Sequence, residues 1–210
     1  MKHVENLISR YPVLTVCKEQ IELAVKSIIS CYENDGMLLL CGNGGSCADA
    51  EHIAGELMKG FCKKRPLKPD EAMRLEKVHP ELGQKLYEKL QQGLRAICLN
   101  GLPALSTAFA NDADPALVFA QQAYAYARQG DILVGISTSG NADNVILAAV
   151  AAKAKGAVTI GLCGKDGGKM NHFMDIVIKA PETETYKVQE LHVPIYHAIC
   201  LEVEDRFFNF

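Results

Sequence analysis

Short apolar runs that end in glycine or serine and pass directly into helix-forming segments recur along this chain, and few folds accommodate that alternation. The first run is Met37-Leu38-Leu39-Leu40-Cys41. Others cover residues 96–99, 132–136, 158–162 and 176–178. Continuous apolar runs bounded by glycine suit strands buried on both faces, as parallel strands are. Helical stretches lie between them, notably residues 116–128 and residues 143–155, the latter ended by Gly156. Strand, small-residue loop, helix and strand again is the grammar of a doubly wound α/β sheet, so five parallel strands in one domain (1–210) are predicted.

Helices close both ends of this pattern. Leu14, Cys17, Ile21, Val25, Ile28 and Ile29 recur at helical spacing, which predicts an N-terminal helix over 11–33 stopped by Asn34-Asp35-Gly36. A C-terminal helix is predicted from about 188 to 207. One segment, residues 67–93, is charged and helix-prone and far longer than a usual βα connection. It reads as a solvated helical insertion, with a lid or an oligomer contact as the alternative.

Two loops carry the chemistry. The first run ends in Gly42-Asn43-Gly44-Gly45-Ser46-Cys47 before a helix. Glycines let backbone amides approach an anion, the helix N-terminus adds free N–H groups, and Ser46 adds a hydroxyl. The third run ends in Ser137-Thr138-Ser139-Gly140-Asn141, again before a helix. Either loop alone reads as a tight turn or a serine-rich helix cap. Two of them at carboxyl ends of strands in one sheet point to a shared crevice for a phosphate monoester. Neither matches the GxGxxG or Walker pattern, which disfavours dinucleotides and ATP.

His52 and Glu56 stand one turn apart on the helix that follows the glycine loop, and Gln189 and His197 lie nearly in phase on the last helix. Two imidazoles, a carboxylate and an amide suit a divalent metal or acid–base catalysis, provided the two helices meet. His192 is a spare candidate, whereas His3, His79 and His172 read as surface. A formal net charge of -3 removes the electrostatic case for nucleic acid or an anionic membrane. No apolar run is long enough to span a bilayer and the first residues lack a signal-peptide pattern, so a cytoplasmic protein is expected. The eight cysteines form no CxxC pair and read as small reduced hydrophobes, with Cys47 in the glycine loop as the exception to watch.

These residues resemble the sugar isomerase (SIS) domain, specifically the phosphoheptose isomerases. The resemblance rests on Cys41-Gly42-Asn43-Gly44-Gly45-Ser46, His52 with Glu56-Leu57, Ala110-Asn111-Asp112, the segment from Gly135 to Asn141, the segment from Gly164 to Met170, and Gln189 with His192 and His197. It implies aldose–ketose isomerisation of sedoheptulose 7-phosphate to D-glycero-D-manno-heptose 7-phosphate in a homotetramer with sites between subunits. It also implies zinc at His52, Glu56, Gln189 and His197, with Glu56 as base and His197 as acid through a cis-enediol. Asn43, Gly44, Gly45, Ser46, Glu56, Asn111, Asp112, Ser137, Thr138, Ser139 and Gln189 would hold the phosphorylated sugar. The chain departs from the family at Ala142, where a small hydroxyl residue is usual, at Tyr186, where an acidic residue is common, and in the insertion. A non-catalytic SIS protein, acting as a scaffold for a replication initiator or as a sugar-phosphate sensor, is the competing class; Glu56 and His197 favour the enzyme.

Overall fold

The computed structural model describes residues 1–208. In chain order the elements are α1 (Lys2–Arg10), a 3₁₀ segment (Pro12–Cys17), α2 (Lys18–Glu33), β1 (Leu38–Gly42), α3 (Gly45–Met58), α4 (Pro69–Val78), α5 (Pro80–Lys89), β2 (Ala96–Cys98), α6 (Pro103–Asp112), α7 (Val118–Tyr126), β3 (Ile132–Ser137), α8 (Asp143–Ala154), β4 (Val158–Cys163), α9 (Met170–Phe173), β5 (Ile176–Lys179) and α10 (Thr185–Phe207). The strands form one parallel sheet in the order β2-β1-β3-β4-β5. All five predicted strands are present, each within a residue or so of its expected bounds.

Alternation along the strands builds two cores. Leu38 and Leu40 of β1 join Ile21, Ile28, Ile53, Leu57, Ile195 and Val203 from α2, α3 and α10 on one face. Leu39 and Cys41 join Phe119, Ala123, Val145, Ala148 and Ala149 from α7 and α8 on the other. Successive side chains of a strand point to opposite faces, so one uninterrupted apolar run serves both layers. In register, Gly42 of β1 pairs with Ile136 of β3, which brings the glycine loop and the serine loop out side by side. The strand order reverses between β1 and β3, the position at which doubly wound sheets open a crevice.

The N-terminal expectation needs correction. Pro12–Cys17 is 3₁₀, the α-helix begins at Lys18, and α1 precedes both. The i, i+3 spacing of Leu14 and Cys17 fits a three-residue turn as well as a 3.6-residue one. α1 is short, and its hold is tertiary: Glu202 of α10 accepts from the backbone N–H groups of His3 and Val4 at 2.7 and 3.1 Å. Asp205 lies 2.8 Å from His3 Nε2, so His3 is partly buried rather than a free surface residue. α10 also starts three residues before the expected point and continues through Pro194.

The insertion is a helical hairpin, α4 and α5, packed through Gly83, where an added Cβ would strike the backbone of Leu75. Its base is closed by the bridge from Pro66 to Gln91 and by Gln92 N–H donating to the Arg65 carbonyl at 2.7 Å. Met73 and Val78 are exposed along it. No helix among the described residues is long and apolar enough to cross a membrane.

The segment between α3 and that hairpin is fixed by a buried ion pair. Arg65 and Glu204 are each 1% exposed, and Arg65 Nη2 lies 2.8 Å from Glu204 Oε1. Glu204 also accepts from the N–H groups of Phe61, Cys62 and Lys63. Arg65 caps the end of α3 by donating to the carbonyls of Leu57 and Glu56 at 2.7 and 3.0 Å. Burial alone would raise the Glu204 pKa, but the backbone donors and Arg65 outweigh it and hold the carboxyl below its ordinary 4.5. Its stabilisation is therefore present above that pH and disappears as pH falls through the lowered native value. Glu204→Ala, which strands a buried guanidinium, is expected to cost about 3–5 kcal/mol in urea unfolding at pH 7, and less once the pH falls below the lowered native pKa of Glu204.

Candidate active site

Two groups of polar side chains sit along the seam between α3 and α10. The helices lie side by side in a constant register: Gly45 faces Gln189 and His52 contacts Tyr196, both pairs 144 positions apart. At one end, the carboxyl edge of β1 and β3 opens a cleft of about 330 Å³ lined by Asn43, Gly44, Gly45, Ser46, Ser137, Thr138, Ala142, Thr185 and Gln189. Gly44 has φ 56°, a conformation that favours glycine. A side chain at Gly45 would collide with the Gln189 amide, so Gly45 is needed for close approach. Asn43 and Asn144 exchange paired amide hydrogen bonds at 2.9 Å and tie the glycine loop to the first turn of α8.

Not every expected phosphate residue reaches this cleft. Ser46 and Ser137 are buried beside it. Ser139 is exposed, and its hydroxyl accepts from the Asn141 N–H at 3.2 Å as a local cap. Asn111 and Asp112 lie at the end of α6, which buries none of its residues, and bond each other at 2.9 Å. Neither lines the cleft of its own chain. Ala142 does, with no hydroxyl to offer, whereas Tyr186 is exposed at the start of α10. Cys47 points to Glu51, and burial followed by that carboxylate raises its pKa, so it is not an activated thiolate.

At the other end the predicted acid–base residues converge. His52 Nε2 is 3.1 Å from Glu56 Oε1 and 3.5 Å from His197 Nε2. Tyr196 Oη is 3.0 Å from His52 Nδ1, and Phe61 tilts over the His197 ring at 5.4 Å. Glu56 is more enclosed than His52: its side chain is 12% exposed, against 43%. Its Oε2 has no hydrogen-bond partner and lies 3.5 Å from the Lys59 ammonium. Burial, then the neighbouring His52, lowers the His197 pKa from 6.5, which favours its neutral imidazole. His192, the spare candidate, is fully buried, with Nε2 3.3 Å from the Cys163 carbonyl, and takes no part.

Two imidazoles and a carboxylate are zinc-type donors, and the orphaned Glu56 oxygen suits a cation. As placed, however, His52 and Glu56 bond each other, and no group of three His, Cys, Asp or Glu side chains among the described residues is arranged to hold a metal. Gln189, eight residues from His197 and so about 12 Å along the helix, belongs to the cleft instead. Sequence reasoning missed Tyr196 and Asn144; for Tyr196, adjacency to His197 was an available signal.

Comparison with known proteins places this geometry. SIS domain family models match residues 3–99 and 96–201. A phosphoheptose isomerase from Nitratiruptor sp. is 38% identical over 179 residues, 85% of this chain and 82% of that protein. Phosphoheptose isomerase 2 of Campylobacter jejuni is 38% identical over 205 residues, covering 98% and 87%. The solved phosphoheptose isomerase of Neisseria gonorrhoeae superposes with a TM-score of 0.74 at 32% identity, covering 97% of this chain and 96% of its own.

Gly45→Ala tests the cleft, because it displaces the Gln189 amide while leaving the helix register intact. KM is expected to rise by roughly 2- to 10-fold, the worth of one neutral hydrogen bond, with kcat changed far less.

Proposed function

The chain belongs to the SIS domain family and, within it, to the phosphoheptose isomerases, and on that premise we propose how its residues interconvert sedoheptulose 7-phosphate and D-glycero-D-manno-heptose 7-phosphate. The observation that carries the reading is the meeting of Glu56, His52 and His197 at the seam of α3 and α10. Seven residues of α3 separate Gly45 from His52, about 10 Å of helix, comparable with the length of an extended seven-carbon phosphate. The phosphate lies in the cleft against the N–H groups at the start of α3, Ser46, Ser137 and Thr138, with Asn43 and Gln189 holding the adjoining hydroxyls. Ser139, Asn111 and Asp112 do not reach it in one chain.

The carbonyl end of the sugar then lies at the histidine cluster. Glu56 removes the proton from the carbon beside the carbonyl, giving a cis-enediol, and the proton returns to the neighbouring carbon. His197, neutral at its lowered pKa, has one N–H and one lone pair and so moves a proton between the two sugar oxygens. Lys59 balances part of the charge on Glu56. A scaffold or sensor role has no need of this convergence and is disfavoured.

Zinc is part of the proposal. His52, Glu56 and His197 would hold it after the His52–Glu56 bond opens, and the ion would polarise the sugar carbonyl. The unit is proposed to be a homotetramer, in which Asn111, Asp112 and the unburied α6 find a neighbouring copy. A cytoplasmic location completes the reading.

Glu56→Gln is expected to lower kcat for sedoheptulose 7-phosphate by about 10²–10⁴-fold, measured by aldose formation, while phosphate-end binding measured by calorimetry persists. Full turnover by this variant removes the base assignment. Titration of the metal-free protein with Zn²⁺ is expected to raise its melting temperature, and His52→Ala to abolish that rise.

A further inference from the structure

Ala142 and Thr185 line the cleft but stand outside the set that holds the phosphate and its adjoining hydroxyls. Ala142 can present only a methyl group. Thr185 is the first residue of α10, exposed, and its hydroxyl bonds no protein group among the described residues. The charged residues beside it are engaged with each other. Lys187 donates to Glu184 at 2.6 Å, and neither lines the cleft. The start of α10 therefore brings a neutral donor to the cleft, without a carboxylate to repel an anion.

The position of Thr185 is fixed by bonds on either side of it. Gly164 N–H, in the loop after β4, donates to the Thr138 carbonyl at 2.9 Å, and the adjacent Lys165 N–H donates to the Glu182 carbonyl at 2.9 Å. The serine loop and the entry to α10 are thus tied through two successive residues. Val188, one turn beyond, is fully buried, and a Cβ added at Gly164 would stand 3.0 Å from its side chain. A donor held in place before the ligand arrives loses little freedom on binding.

Length decides what this hydroxyl meets. Gln189 lies against Gly45, at the phosphate end of the site. Thr185 is four residues earlier on α10, about 6 Å further from His197. With the carbonyl end of the sugar at the histidine cluster, only the terminal phosphate extends that far. A phosphate monoester carries three strong acceptor oxygens. Ser46 approaches them from α3, and Ser137 and Thr138 from the end of β3, which leaves the α10 side to Thr185.

We propose that Thr185 is a phosphate-binding residue, its hydroxyl donating to a terminal phosphate oxygen from the α10 side of the cleft. This rests on the cleft being the phosphate site. The residue contributes affinity for the phosphorylated end of the sugar and moves no proton in the isomerisation.

Calorimetric titration tests the contact, with sedoheptulose 7-phosphate first equilibrated with the native enzyme so that every variant meets the same isomer mixture. Thr185→Val keeps the shape and removes the hydroxyl. Its Kd is expected to rise about 10- to 100-fold, the worth of one hydrogen bond to a charged group. Thr185→Ser, which keeps the donor, is expected to stay within about threefold of the native chain. Unchanged affinity in a folded Thr185→Val, with weakened binding in Ser137→Ala, overturns the assignment of Thr185 alone. Unchanged affinity in both variants overturns the phosphate cleft as well. Equal losses in Thr185→Val and Thr185→Ser also overturn the proposal, since they would show that shape matters there and the hydroxyl does not.

Discussion

Arg65 and Glu204 meet where an unpaired charge is most costly, and each directs its remaining hydrogen bonds to backbone around the end of α3. Removing either would leave the other's charge buried without its counter-ion, so the pair holds α3 and α10 together at one end of their seam. Gly45 and Gln189 are in contact at the other end. Between these two points the helices run in one register, with Glu56, His52 and His197 on the seam and the cleft at its open end, where the loop after β3 adds Ser137 and Thr138.

The two ends of the site use different physics. Among the described residues that line the cleft there is no lysine or arginine. An anion there depends on backbone N–H groups, hydroxyls and the positive end of α3, which are fixed in place by the fold and keep their character at any ordinary pH. The histidine cluster is made of groups that exchange protons, and in it burial and the neighbouring His52 lower the His197 pKa. Separating a pH-indifferent anchor from a titrating reaction centre allows the substrate to stay bound while protons move.

Much of this was legible in the residues. The five strands and the helices on both faces followed from continuous apolar runs, because burial on both sides of a parallel sheet leaves little freedom in composition. His52, Glu56 and His197 were legible as phase-matched pairs, but their meeting was not, since it depends on how α3 packs against α10. α1 was missed because it is held by Glu202 and Asp205, nearly two hundred positions away in the chain. Ser139 shows the opposite case: a hydroxyl in a serine-rich loop has a nearby N–H to cap, and its hydroxyl accepts that local bond. Asn111 and Asp112 matched a motif, yet one chain gives them only each other.

The shared register of α3 and α10 also limits how such a protein can change. Losing or gaining one residue within either helix rotates everything beyond it by about 100° around the axis, which would turn one partner of the seam toward solvent and leave the other facing apolar side chains. Length variation is therefore confined to places outside the two helices themselves, α3 and the part of α10 from Gln189 to Glu204. The α4–α5 hairpin enters the chain just after Arg65 and Pro66, with both of its ends joined at one bridge, so extra sequence is accommodated there without disturbing a single contact on the seam.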